Sequence, residues 1–173
     1  MKTVIINVIK FVLLIIIQIF FLKNLSIYGV YIPFLYILFI ILLPISTPYI
    51  VVYLSSFLLG LTIDLFLNTP GINAATCVIS AFVRIILLNF IEHEDKSDKN
   101  ISIAYSKKNL KGFFVYIVAL SIIHGFTLSI LEAANFRNFL ITIKTSIYNI
   151  LLTVSIIIVI LYLLGINKLK SGK

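Results

Sequence analysis

Asp64, His124 and Glu132 are titratable side chains set inside or at the ends of long apolar runs, and Lys10 and Arg84 are the cations within such runs. A carboxylate, an imidazole and a second carboxylate in lipid could relay protons, hold a metal or line a substrate pocket. His124 and Glu132 stand about two helical turns apart on roughly one face. The set lacks metal-ligand spacing, however, and hydrogen bonding between helices accounts for it more simply. The run Glu92-His93-Glu94-Asp95 resembles a ligand cluster, but it opens a lysine-rich connection and reads as a solvated charge run. The chain has neither a phosphate-cradling glycine loop nor a nucleophile elbow. No catalytic residue, metal or cofactor is expected.

Long apolar helices must position these groups. Of 173 residues, 61% are hydrophobic and 12% charged, and the mean hydropathy is +1.18. A soluble domain is nearer one-quarter charged. The expected fold is an all-α integral membrane bundle of about six helices, forming one domain over residues 1–173. Runs of about 19 to 20 apolar residues cross a hydrocarbon core of roughly 30 Å at 1.5 Å per residue. Spans are expected near 4–22, 49–67, 72–91, 112–131 and 144–164. A sixth, near 31–47, is weaker. Its apolar core lies between Pro33 and Pro44, about half a normal span, which allows a short or re-entrant helix. The first run carries Lys10 and Gln18 and is followed by Lys23-Asn24, so it reads as a retained anchor. Cys77 is the sole cysteine and a small buried hydrophobe, which excludes an internal disulfide.

The positive-inside rule places the polar connection 92–111, with five lysines, and the tail after 164, with three, in the cytoplasm. Six spans put the amino terminus there too, giving nine Lys or Arg inside against three outside. Five spans give the same tally, so charge does not choose between them. In both cases the turn Asn68-Thr69-Pro70-Gly71 faces away from the cytoplasm. The net charge of +8 is thus topological, and no basic and aromatic array for nucleic acid is present.

Polar and small residues mark the faces that meet other helices. Tyr49, Tyr53, Ser56, Gly60 and Asp64 recur at steps of four and three, one helical face. Asn73, Cys77, Ser80 with Ala81, and Arg84 form a matching stripe. The short turn between them makes the two helices antiparallel neighbours, with Pro70-Gly71 supplying the reversal and Asn68 the C-cap. Asp64 lies about 6 Å from the turn and Arg84 roughly 18 to 20 Å, which argues against a salt bridge. Asp64 is expected to find Asn68, Thr69, Asn73 or the amides at the next helix start. Arg84 is expected to face another helix or to snorkel. Tyr148, Asn149 and Thr153, with Asn7, Phe11, Leu14 and Gln18, add further mildly polar stripes.

"YIPFLYILFIILLPISTP", residues 31–48, and above all "FLLGLTIDLFLNTPGINAATCVISAFVR", residues 57–84, resemble the rod shape-determining MreD family, in its Bacteroidetes-type branch. The second stretch carries the Gly-x-x-x-Asp helix, the Asn-Thr-Pro-Gly turn, the Asn-Ala-Ala-Thr start and the Ala-Phe-x-Arg ending. "IIHGFTLSILEAANFRNF", residues 122–139, is similar to that family's His and Leu-Glu pattern. Members often carry a second His where this chain has Gly125, which weakens any chemistry by paired histidines.

The resemblance implies six helices in a fold similar to the substrate-binding subunits of energy-coupling-factor transporters. It also implies a non-enzymatic component of the bacterial cell-elongation machinery in the inner membrane. Partners implied are MreC first, with RodA, the elongation transpeptidase and MreB as complex members. Ser56, Gly60, Asp64, Asn68, Pro70, Gly71, Asn73, Ser80, Arg84, His124 and Glu132 are the candidate helix-interface or partner-contact residues. The competing reading is a substrate-binding subunit of a vitamin-type transporter. Such subunits show alanine-spaced docking motifs on the first helix, and "VIINVIKFVLLIIIQIFFL" has none. A membrane enzyme acting on lipid-linked substrates would need a fuller catalytic cluster.

Overall fold

The computed structural model of the chain describes residues 2–22, 32–92, 110–133 and 139–163. Among them all regular structure is helical: α1 (Lys2–Ile16) running into a π-helical turn (Ile17–Leu22), α2 (Ile37–Leu42), α3 (Tyr49–Leu67), α4 (Ile72–Glu92), α5 (Leu110–Glu132) and α6 (Phe139–Leu163). Five of the spans, Val4–Leu22, Tyr49–Leu67, Ile72–Phe90, Lys111–Glu132 and Thr142–Leu163, are long and apolar enough to cross a membrane. The last helix begins five residues before the expected 144, because Phe139 to Ile143 is apolar enough to continue it. Most of the connection 92–111, with His93, Glu94 and Asp95, and the tail after 163 lie outside the described residues.

Residues 32–48 are where the sequence left two choices, and a six-residue helix stands there in place of a continuous span. Pro33 and Pro44 confine it, since neither can donate to a helical ladder. The segment nevertheless runs the length of α1 in the opposite direction. Gln18 meets Pro33 and Leu35 at one end, and Phe11 meets Phe39 edge to face at 5.3 Å in the middle. The first half of α1, residues 43–48 and the first half of α3 then line one groove of about 810 Å³. The chain thus reverses between α1 and α3 through a broken crossing, and α1 and α3 run parallel.

Leu35 through Leu43 are all buried, making this segment the centre of the core. Backbone that leaves the helical ladder at membrane depth must be enclosed by protein and supplied with partners. At the start of the segment two helices supply them. Gln18 donates Nε2–H to the Pro33 carbonyl at 3.0 Å and accepts from the Leu35 amide at 2.9 Å. From α6, Asn149 Oδ1 accepts from the Ile32 amide at 3.0 Å and Thr153 Oγ1 from the Phe34 amide at 2.8 Å. Gln18 lies in the π-helical turn, whose wider winding often occurs where a side chain has a task.

The α3 and α4 helices form a tight antiparallel hairpin. Asn68 ends α3 in the left-handed region at φ 56°, its amide donating to the Asp64 carbonyl, and asparagine tolerates that conformation better than most residues. Gly71 follows at φ 79°. At Gly60 the helices meet so closely that a Cβ would overlap the backbone of Asn73 and Ala74. The interface read for Gly60 is therefore within the chain. Gly60→Ala should cost about 1–3 kcal/mol by forcing the helices apart. Leu65→Ala, at a side chain 72% exposed, should change stability by less than about 0.5 kcal/mol in unfolding from lipid bicelles. Equal costs would place the contact elsewhere.

A second close crossing joins α5 to α6. A Cβ at Gly125 would run into Ile150, and Ser146 donates to the Gly125 carbonyl at 3.1 Å. Gly125 thus has a packing role at the position where the resembling family often has histidine.

Candidate functional site

Asp64 occupies the last turn of α3 but acts on α4. The first amides of a helix have no partner within it, and Asp64 supplies one from the neighbouring helix. Its Oδ1 accepts from the Asn73 amide at 3.0 Å, from Asn73 Nδ2 at 2.9 Å and from Thr69 Oγ1 at 2.8 Å. Its Oδ2 accepts from the Ala74 amide at 2.8 Å. The positive end of the α4 dipole faces the carboxylate as well. The side chain is 4% exposed. Asn68 contributes only its backbone, as the α3 cap.

The hydrogen bonds continue inward. Asn73 Oδ1 accepts from the Tyr36 hydroxyl at 2.8 Å. The same hydroxyl lies 2.9 Å from His124 Nε2, and His124 Nδ1 lies 2.9 Å from Ser80 Oγ. Ser80 Oγ is also 2.8 Å from the Thr76 carbonyl. His124 is 1% exposed and lies between aromatic rings, with Tyr36 edge-on at 5.1 Å and Phe34 at 5.9 Å. Four elements, α3, α4, α5 and the crossing segment, are thereby joined by one polar thread through an apolar core.

Arg84, 2% exposed, faces the opposite end of the crossing segment. Its Nε donates to the Ile40 carbonyl at 2.9 Å, and its Nη2 donates to Leu43 and Pro44 at 2.8 and 3.1 Å. The first two are carbonyls left open at the end of α2, and the third is shared with the amide and hydroxyl of Thr47. The guanidinium also meets the negative end of that helix. Tyr116 is wholly buried nearby. Asp64 and Arg84 thus have separate partners.

Of the other candidates, Asn73, Ser80 and His124 belong to the thread. Ser56 is buried on the Gly60 face, its hydroxyl without a hydrogen-bond partner among the described residues. Pro70 and Gly71 form the exposed turn. Glu132 stands exposed at the end of α5 and joins none of these contacts. Among the described residues no group of three or more His, Cys, Asp or Glu is placed to hold a metal. Sequence reasoning missed Tyr36, the joint of the whole thread. It also saw Gln18, Asn149 and Thr153 only as mildly polar stripes. The available signal was the short helix itself, whose open backbone groups need partners from somewhere. Comparison with protein-family models, with curated proteins and with solved structures finds no match.

Proposed function

We propose that this chain is a non-enzymatic, multi-pass scaffold of the bacterial cell-elongation machinery. In this reading it lies in the inner membrane with both termini in the cytoplasm. Its fold is similar to energy-coupling-factor substrate-binding subunits. It binds MreC and works beside RodA, the elongation transpeptidase and MreB to position peptidoglycan synthesis.

The observation that carries the proposal is the fate of the 57–84 block, the stretch most similar to the MreD family. Gly60 sits at a helix crossing, Asp64 and Asn73 cap a helix, and Arg84 closes the short one. Each of these residues is spent on holding the bundle, as a rigid scaffold requires. The faces left outward carry Phe57, Leu65, Phe66, Phe82 and Phe90, apolar surface suited to lipid and to partner helices.

Depletion in the host is expected to round elongated cells, and the tagged chain is expected to retain MreC through detergent purification. Unchanged cell shape together with tight binding of a vitamin-like molecule would sink the proposal in favour of the transporter reading, since fold alone does not fix function.

A further inference from the structure

We propose that the polar thread is directional, and that Asp64, when ionised, fixes the tautomer of His124 on another helix through Asn73 and Tyr36. Donors and acceptors can be assigned one by one. Backbone amides only donate, so Asn73 and Ala74 engage both oxygens of Asp64 as acceptors, and an ionised carboxylate has no hydrogen to give. Asn73 must therefore turn its NH₂ to Asp64, at 2.9 Å, which leaves its Oδ1 toward Tyr36. Tyr36 has one hydroxyl hydrogen and uses it on that oxygen. The remaining contact, 2.9 Å to His124 Nε2, forms only if Nε2 carries the proton. A neutral His124 then has a bare Nδ1, which accepts from Ser80.

Ser80 is the one member with a choice. Its single hydrogen can point to His124 Nδ1 at 2.9 Å or to the Thr76 carbonyl at 2.8 Å. The opposite arrangement of the thread therefore exists within the same heavy-atom positions. In it Tyr36 donates to Nε2, Nδ1–H donates to Ser80, and Ser80 donates to Thr76. The orientation of Asn73 selects between the two, and Asp64 sets it, with Thr69 Oγ1, itself donating to Asp64, accepting from the same Asn73 Nδ2 at 3.0 Å. A partner that drew Asp64 and Thr69 away from Asn73 would free its amide to turn over. The change would be registered at His124, in the centre of the bundle.

The test is nitrogen-15 NMR of the full chain in lipid bilayers with labelled histidine, the His124 signals being assigned by comparison with His93→Gln. The expected spectrum has the proton on Nε2 and a bare Nδ1. In Tyr36→Phe the acceptor is lost, and the one-bond N–H coupling is expected to vanish from Nε2 and appear at Nδ1. Ser80→Ala leaves Tyr36 in place and should keep the proton on Nε2. Asp64→Asn should yield both tautomers. A proton on Nδ1 in the unaltered chain, or an even mixture there, overturns the proposal, whether or not the variants fold. An unchanged spectrum in folded Tyr36→Phe or Asp64→Asn also overturns it.

Discussion

Arg84→Ala is expected to destabilise the bundle by about 3–5 kcal/mol, the sum expected when hydrogen bonds from a charged donor are lost and two buried carbonyls are left without a partner. The side chain is buried and donates to three carbonyls, those of Ile40, Leu43 and Pro44. Removing it leaves the Ile40 and Leu43 carbonyls without their donor, while Pro44 keeps the Thr47 amide and hydroxyl. Each buried polar group left without a partner costs about 1–3 kcal/mol. Arg84→Lys should recover only part of the loss. The planar guanidinium reaches Ile40 through Nε and the other two carbonyls through Nη2, whereas an ammonium is a point charge on a flexible stem. Unfolding by denaturant in lipid bicelles measures the difference. The lysine variant should fall between wild type and alanine. A loss below about 1 kcal/mol for Arg84→Ala would show that water or lipid headgroups already serve those carbonyls.

How far the sequence showed this arrangement differs from residue to residue. The α3–α4 hairpin was legible because a stripe at steps of three and four reports a face without knowledge of its partner, and Asn-Thr-Pro-Gly fixes the neighbour. The separate roles of Asp64 and Arg84 were legible too, because rise per residue converts sequence distance into depth. The short helix was one of the readings that a half-length apolar run between two prolines left open beside a full span. What periodicity does not carry is the identity of a partner several elements away. Tyr36 lies in a run where nearly every residue is buried, so no face stands out. Arg84 bonds to backbone carbonyls, which have no signature in sequence at all. Gln18, Asn149 and Thr153 likewise serve backbone groups of residues 32–35. Their common purpose becomes visible only when that stretch is known to lack a helical ladder.

Asp64→Ala is expected to cost about 2–4 kcal/mol. Loss of a capping side chain alone costs about 0.5–2 kcal/mol, and here the amides of Asn73 and Ala74 are buried when they lose their acceptor, which adds to it. Asp64→Asn keeps the volume and one acceptor. Its NH₂ must face one of the two amides, so about half the loss should remain. A double-mutant cycle then separates two pictures of the charged residues. If Asp64 and Arg84 held the hairpin as an ion pair, removing both would cost less than the sum of the single losses. Their partners are distinct, Thr69, Asn73 and Ala74 for the carboxylate and the carbonyls of the crossing segment for the guanidinium. Independent sites add to within about 0.3–0.5 kcal/mol, and that is the expected result for Asp64→Ala with Arg84→Ala. By contrast, Asp64→Ala with Asn73→Ala should be strongly non-additive, because the two side chains share a hydrogen bond and each single change already breaks it. Additivity in the first cycle and its failure in the second would identify two separate anchors, one at each end of the crossing segment. Strong coupling between Asp64 and Arg84 would contradict that assignment.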